Sequence, residues 1–317
     1  MKPTLAGYGL LAGLILVAWM VQIFAIPWTD MYLTSIAIRV GINMLAVLGL
    51  ALVLGFTGQF SLGHASFMAL GAYTAAWLNL HAGVPPMLAV VFGGIVGAIG
   101  GIAVGLPSLR LTGDYLAVVT LGFNGIIVVI IQNTKALGGA LGIIGLPQDT
   151  NVGWTFTFLL VGGFFLRNVL QSRFGRSFRA VRDNEIATRS LGIDTTRVKV
   201  TAFVLGAFWA GVAGGLITFL NGSISPNQFT YDRSIELIAM VVLGGTGSLS
   251  GPLIAAAVLT ALPEVLRPIA QYRMVIYSLM LILMMILRPS GLLGNNEVSS
   301  VVMRLATRLG WRRKVSA

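Results

Sequence analysis

The chain has 317 residues, of which 56% are hydrophobic and only 10% are charged. Soluble domains carry about 25% charged residues, so the composition excludes an ordinary soluble domain and indicates an integral membrane protein. The net charge of +11 does not indicate nucleic-acid binding, because the basic residues collect beside apolar segments, as positive-inside signals do. The absence of Cys excludes disulfides and cysteine-based zinc or catalytic sites.

Apolar segments follow one another along the chain, and a membrane-spanning helix needs roughly 20 apolar residues. We therefore predict an all-α transmembrane bundle of about ten spans, with eight spans plus re-entrant pieces as the alternative. The first segment is favoured as a retained helix over a signal peptide, because its apolar run is long. The predicted helices cover residues 8–26, 31–55, 61–80, 86–106, 115–134, 153–170, 198–220, 234–246, 252–266 and 274–288.

Basic residues predict the orientation of the bundle. With the N-terminus in the cytoplasm and ten spans, the basic stretches 173–199 and 288–317 both fall inside, as the positive-inside rule requires. Removing one helix would put one of these stretches outside. Residues 1–294 are thus predicted to form the transmembrane domain, with a cytoplasmic loop at 171–196, and residues 295–317 a basic cytoplasmic tail.

Two segments, Thr57–Ser61 and Gly244–Gly251, interrupt the apolar pattern. The first lies within the run Gly55–Gly63, which resembles Gly244–Gly251, and either an internal duplication or chance explains this resemblance. Irregular backbone is tolerated at membrane depth only where protein or water covers it, and transporters place substrate sites at such breaks. The alternative is a plain loop at the membrane surface.

Polar side chains near the spans are further candidates, because an ionisable group in hydrocarbon is costly. Arg39 is the deepest charge, and Asn43 lies on the same helix face; snorkelling of Arg39 to the interface is the alternative. Glu236 and Glu264 lie near span ends and are predicted to be interfacial. The predicted translocation-path residues are Arg39, Asn43, Thr57, Gly58, Gln59, Ser61, His64, Thr246 and Ser248.

Four glycines spaced by four residues lie on one face of the fourth predicted helix. Without side chains on that face, another helix can approach closely. Packing within the chain is the favoured interpretation, and contact with a second subunit is the alternative. These predicted packing residues are Gly93, Gly97, Gly101 and Gly105.

The cytoplasmic loop contains apolar residues interleaved with its charges, which predicts a short amphipathic helix near 177–191 that stops at Gly192. Such a helix would lie on lipid headgroups or on a partner protein. A solvated positive-inside loop is the alternative, although it would not explain the apolar residues.

Several catalytic signatures are absent. The sequence has no Gly-Lys dipeptide, and therefore no Walker A loop, and it has no Gly-x-Ser-x-Gly or His-Glu-x-x-His motif. We therefore expect no enzymatic activity, no metal and no bound cofactor in this chain. A transporter subunit is favoured; a secondary transporter or channel is the alternative, and a membrane-embedded enzyme comes third.

Five runs, in the same order along the chain, resemble the permeases of branched-chain amino-acid ABC transporters, in particular the LivM-like subunits. One of them reads Gly-Phe-Thr-Gly-Gln-Phe-Ser-Leu-Gly-His-Ala-Ser-Phe-Met-Ala-Leu-Gly-Ala-Tyr. The runs are Gly55–Tyr73, Arg110–Gly122, Gly175–Ala187 continuing to Ile193 and Lys199, Gly244–Pro252 and Arg288–Gly294.

The resemblance implies a multi-pass permease of the bacterial inner membrane that imports leucine, isoleucine and valine, although related permeases carry urea or short amides. It also implies a second, related permease, a periplasmic binding protein and two cytoplasmic subunits that hydrolyse ATP. The segment 177–192 would then be the coupling helix that docks on an ATPase. The residues expected to couple are Phe178, Arg179, Val181, Arg182, Asn184, Glu185, Ile186 and Gly192.

Overall fold

The computed structural model describes residues 5–25, 31–108 and 114–266, with positions 278, 279, 282, 286 and 291. This part of the chain is almost entirely helical, which confirms the all-α fold class. The α-helices are α1 (Leu5–Met20), α2 (Met31–Leu50), α3 (His64–Ala82), α4 (Pro86–Ser108), α5 (Asp114–Asn133), α6 (Val152–Gln171), α7 (Arg173–Asp183), α8 (Glu185–Ser190), α9 (Thr195–Asn221), α10 (Tyr231–Gly244) and α11 (Ser250–Val265).

The first nine predicted membrane helices each correspond to an observed helix. The tenth, 274–288, lies almost wholly outside the described residues, and the tail 295–317 lies outside them entirely. By length and apolar composition, five helices in the described ranges could cross a membrane, and two apolar helices are shorter. The five are Met31–Phe56, Pro86–Ser108, Tyr115–Asn133, Val152–Gln171 and Thr195–Asn221, and the shorter two are Leu11–Ile23 and Ser250–Glu264.

Helix α9 lies at the centre and packs against α2, α3 and α4. Glycines make this close packing possible where α3, α4 and α9 meet. A Cβ atom added at Gly71 would lie 2.2 Å from the carbonyl oxygen of Gly211. A Cβ added at Gly93 would lie 2.4 Å from the carbonyl oxygen of Gly71, and a Cβ added at Gly211 would lie 2.7 Å from the carbonyl oxygen of Gly93. The three backbones therefore touch directly, as small residues allow in membrane bundles.

The predicted glycine stripe of α4 faces this contact. A Cβ at Gly97 would meet the Ala207 carbonyl oxygen at 2.8 Å, and one at Gly101 the Ala207 Cβ at 2.7 Å; Gly105 is also buried. The stripe thus packs within the chain rather than against a second subunit. The opposite face of α4 exposes large apolar side chains, as a lipid-facing surface does: Leu88, Phe92, Ile95, Ile99, Ile102 and Leu106.

Two groups of connections mark the two ends of the bundle. At one end, the chain leaves α2 through a π-helical turn, Ala51–Phe56, and the α2–α3 connection lies against α7. At the other end, β1 (Ile143–Ile144) pairs antiparallel with β2 (Ser223–Ile224), directly after α9. The candidate sites lie at these two ends.

Candidate functional site

The polar side chains of the break between α2 and α3 are covered by protein. Thr57 and Gln59 are each 3% exposed and Ser61 is fully buried. The backbone N–H of Gln59 donates to the Val53 carbonyl oxygen at 3.1 Å, and the Thr57 hydroxyl donates to the same oxygen at 2.6 Å. Gly58 has a φ of +68°, a conformation that glycine adopts without steric cost. The break is therefore an ordered turn whose polar side chains are buried, while Gly58 and Phe60 are exposed.

Helix α7, in the loop predicted to be cytoplasmic, binds this break directly. Arg182 Nη1 donates to the Gly55 carbonyl oxygen at 3.0 Å, and its Cγ would lie 3.2 Å from a Cβ at Gly58. Gln59 Nε2 also donates to the Lys199 carbonyl oxygen on α9, at 3.3 Å. The break and the loop helix, which the sequence presents as separate features, therefore form one site.

The second break, between α10 and α11, joins the same site. A Cβ at Gly55 would lie 2.7 Å from the Thr246 carbonyl oxygen, so the two breaks touch. Ser248 is buried, and its hydroxyl accepts a hydrogen bond from the Gly251 amide at 3.2 Å, whereas Thr246 is exposed.

The loop that precedes α9 forms two helices, which corrects the prediction of one helix at 177–191. Ser172 caps α7, and Asn184 breaks the segment because its extended backbone makes it the N-cap of α8, with its Oδ1 accepting from the Ala187 amide at 2.9 Å. Gly192, with a φ of +81°, follows α8 as predicted.

Burial changes the expected roles of the apolar side chains in this segment. Phe178 is fully buried and Val181 is 4% exposed, which corrects the expectation that they anchor a partner; both pack inside this chain. Ile186 and Leu191 are 81% and 80% exposed. Arg179 also binds within its own chain, because its Nη2 donates to the Leu170 carbonyl oxygen at 2.8 Å.

A partly buried ion pair joins α8 to α9. Lys199 Nζ lies 2.5 Å from Glu185 Oε2, and the Lys199 side chain is only 8% exposed. Arg189 also approaches Glu185, at 3.4 Å. The sequence did not predict the contact between Lys199 and Glu185, since a spacing of 14 residues indicates none.

A polar cavity of about 570 Å³ lies at the opposite end, between α2, α9, α10 and α11. Arg39 Nη2 donates to Asn221 Oδ1 at 3.0 Å, and Asn43 Nδ2 donates to Thr260 Oγ1 at 2.8 Å. Arg233, on α10, binds both Asn43 and Glu236.

Sequence reasoning missed Arg233 and interpreted Glu236 and Glu264 as interfacial. The charged pair three residues apart at the start of α10 was a usable signal. The predicted translocation-path residues thus divide between the two ends: Arg39 and Asn43 line the cavity, and the others lie in or beside the breaks. His64 is buried, with Nε2 3.2 Å from the Ala46 carbonyl oxygen.

Residues 32–288 match the family model described as "Branched-chain amino acid transport system / permease component". The chain belongs to this permease family. The permease is 35% identical to the high-affinity branched-chain amino acid transport system permease proteins LivM of Salmonella typhimurium, over 86% of this chain and 73% of the relative, and of Escherichia coli, over 92% and 77%.

The related subunit LivH of E. coli is 27% identical to the permease, over 81% of this chain and 92% of the relative. No solved structure matches the permease significantly.

The family membership and the apolar helices together make the permease a multi-pass membrane protein. In the described ranges, no three His, Asp or Glu side chains are grouped for a metal ion.

Proposed function

We propose that the permease is a membrane-spanning subunit of an ATP-binding-cassette importer that carries branched-chain amino acids across the bacterial inner membrane. The 35% identity to two LivM proteins over most of the chain supports this substrate class. Because LivH is also a relative, a second, related permease is its expected partner in the bilayer. A periplasmic binding protein would deliver the substrate, and two cytoplasmic ATPases would bind and hydrolyse ATP.

The contact between Arg182 and the Gly55 carbonyl oxygen carries the mechanistic part of the proposal. Helices α7 and α8 would face the cytoplasm, where exposed Ile186 and Leu191 offer apolar anchors to an ATPase. Burial of such a side chain in a partner's groove contributes about 1.5–3 kcal/mol. A push on α8 would reach α9 through the ion pair of Glu185 with Lys199, and the break through Arg182.

The breaks are suited to respond to such a push. Their backbone is already irregular, and it is held by a few side-chain contacts rather than by a continuous helical ladder. Displacement of α7 would move the ends of α2 and α10 together, because the two breaks touch at Gly55 and Thr246. In this mechanism the breaks form the moving cytoplasmic end of the path.

The experiment is uptake by proteoliposomes that hold the permease with its partner subunits. We expect accumulation of L-leucine, L-isoleucine and L-valine that requires ATP on the ATPase side and added binding protein. A transporter whose ATPase cannot hydrolyse ATP is the control and should give none. Uptake driven by an ion gradient without ATP would favour the secondary transporter and contradict the proposal.

A further inference from the structure

The polar cavity at the end opposite α7 holds two arginines and two glutamates among its lining residues, so its formal charges cancel. Two of them neutralise each other, because Arg233 and Glu236 form an ion pair. Arg233 also binds Asn43, so this pair is part of the packing between α2 and α10.

The other two charges, on Arg39 and Glu264, are paired differently. Arg39 donates to the neutral side chain of Asn221 at 3.0 Å, and Glu264 accepts from the Tyr32 hydroxyl. Within the described part of the chain, neither has an opposite charge at ion-pair distance. A charge within or beside a spanning helix is costly unless a partner compensates it. One positive and one negative group therefore line the same cavity without an ionic partner among the described residues.

The rest of the lining is suited to an aliphatic group, because Ile217, Leu259 and Pro263 also line the cavity. Its volume of about 570 Å³ lies within the range of about 300–1,000 Å³ typical of small-molecule sites. A matching ligand is neutral overall, carries both charges and has a short apolar side chain.

We propose that this cavity binds the zwitterion of a branched-chain amino acid. The α-carboxylate binds the Arg39 guanidinium, whose planar geometry suits a bidentate contact, and the α-ammonium binds the Glu264 carboxylate. The aliphatic side chain lies against Ile217 and Leu259. The inference rests on the proposed function and adds the site at which the permease itself holds its substrate.

The experiment uses the fact that the chain contains no Cys. Ser223→Cys places one thiol at the cavity lining, and its reaction with a membrane-impermeant maleimide is followed on the purified transporter without binding protein. We expect L-leucine to slow this labelling about threefold at a concentration about twice its Kd. Lys135→Cys, at an exposed site outside the cavity, should react at the same rate with and without leucine.

Two analogues test the two charges. 4-Methylpentanoate lacks the ammonium group and 3-methylbutylamine lacks the carboxylate, so neither should protect at the same concentration. Phosphatidylethanolamine carries both charges in its headgroup, and protection by this lipid but not by leucine would identify a lipid site and overturn the proposal.

Charge-removing variants locate the binding groups. In the Ser223→Cys background, Arg39→Met and Glu264→Gln should each weaken protection by leucine about tenfold or more, since each removes a charge-assisted hydrogen bond. Lys135→Met and Asp149→Asn remove exposed charges outside the cavity lining. These two variants should leave the protection by leucine unchanged. Leucine should protect the thiol better in the Arg39→Lys variant, which keeps the charge, than in the Arg39→Met variant. The two variants are compared in equal amounts of purified protein.

The result separates this inference from the proposed function. If the proteoliposomes accumulate leucine with ATP but leucine never protects Ser223→Cys, the cavity site is wrong and the importer function holds. If leucine protects the Arg39→Met and Glu264→Gln variants as well as it protects Ser223→Cys alone, the assignment of the two charges is wrong. If no branched-chain amino acid is transported at all, the proposed function fails.

Discussion

At the scale of single residues, Arg182 connects α7 to the break between α2 and α3. Its side chain is 30% exposed, yet its guanidinium binds the Gly55 carbonyl oxygen inside the bundle and also contacts its neighbour Asp183 at 3.2 Å. The hydrogen bond occupies an oxygen at the end of a helix, where the backbone lacks its usual partner. Arg182 is therefore suited to transmit movement rather than to bind substrate.

Replacement of Arg182 by Gln should reduce uptake several-fold while the permease still inserts. A hydrogen bond from a charged group contributes about 1.5–3 kcal/mol when buried, and we expect about 1 kcal/mol here because solvent screens this partly exposed group. The measurement is uptake per ATP hydrolysed in proteoliposomes. Arg176→Gln is the control, since Arg176 is exposed on the same helix; an equal loss in both variants would contradict a specific role for Arg182.

Gly93 gives a second prediction at the residue scale. Even an alanine there would put a Cβ 2.4 Å from the Gly71 carbonyl oxygen, so Gly93→Ala should force α3 and α4 apart and destabilise the fold by about 1–3 kcal/mol, as overpacking does. Gly122→Ala is the matched control, because nothing lies within 4 Å of its Cβ position. Thermal unfolding of the purified transporter in detergent measures the difference, and equal midpoints would contradict it.

Sequence predicted some residues well because their signals are local. The Gly93–Gly105 stripe is visible in helical periodicity, and so is its packing role. The partners of Arg182 and Lys199 were not predictable, since Gly55 lies 127 residues from Arg182 and helix packing alone brings them together. The cavity shows the same limit: Arg39, Arg233 and Glu264 lie on three helices, and no periodicity relates them.

At the scale of elements, α7 and α8 have different roles. Helix α7 is amphipathic toward its own chain, with Phe178 and Val181 buried, whereas α8 is a short element that exposes Ile186. Sequence periodicity predicted helical structure and apolar residues here. It could not assign the face of each residue, because the extended backbone at Asn184 separates two helices and one helical period does not run through both. The exposed apolar side chains that a partner could bury are Phe174 at the start of α7, Ile186 on α8 and Leu191 in the turn that follows.

Two substitutions distinguish these roles. Ile186→Ser should weaken association with the ATPases, because it removes an exposed apolar anchor worth about 1.5–3 kcal/mol when buried, and the permease itself should remain stable. Phe178→Ala should instead destabilise the permease by about 3–5 kcal/mol, since it empties a core position. Co-purification of the ATPases and thermal unfolding of the permease are measured on the same samples. If Phe178→Ala releases the ATPases from a permease of normal stability, the division of roles is wrong.

At the scale of the whole molecule, the two ends differ in the charges they carry. The end with α7 and α8 has a concentration of arginines, several of them exposed, including Arg173, Arg176 and Arg197. The end with β1 and β2 has the mixed charges of the cavity. By the positive-inside rule, this asymmetry predicts that the arginine-rich end faces the cytoplasm. The proposed substrate cavity would then face the periplasm, where a binding protein would release its ligand.

The orientation is the last prediction, and it connects both sites to their compartments. Reporter fusions after Leu170 and after Gly294 should both report the cytoplasm. If the chain has ten spans and both termini are cytoplasmic, the basic stretches 173–199 and 288–317 also lie on the cytoplasmic side. A fusion at Gly139, in the connection between α5 and α6, should report the periplasm and is the control for reporter activity. The Gly294 fusion also counts the spans, since it lies after the predicted helix 274–288. A periplasmic signal there with a cytoplasmic signal after Leu170 would mean an odd number of crossings between the two positions and would contradict the ten-span bundle. A periplasmic signal after Leu170 would place α7 and α8 away from any ATPase and would remove the proposed coupling route altogether.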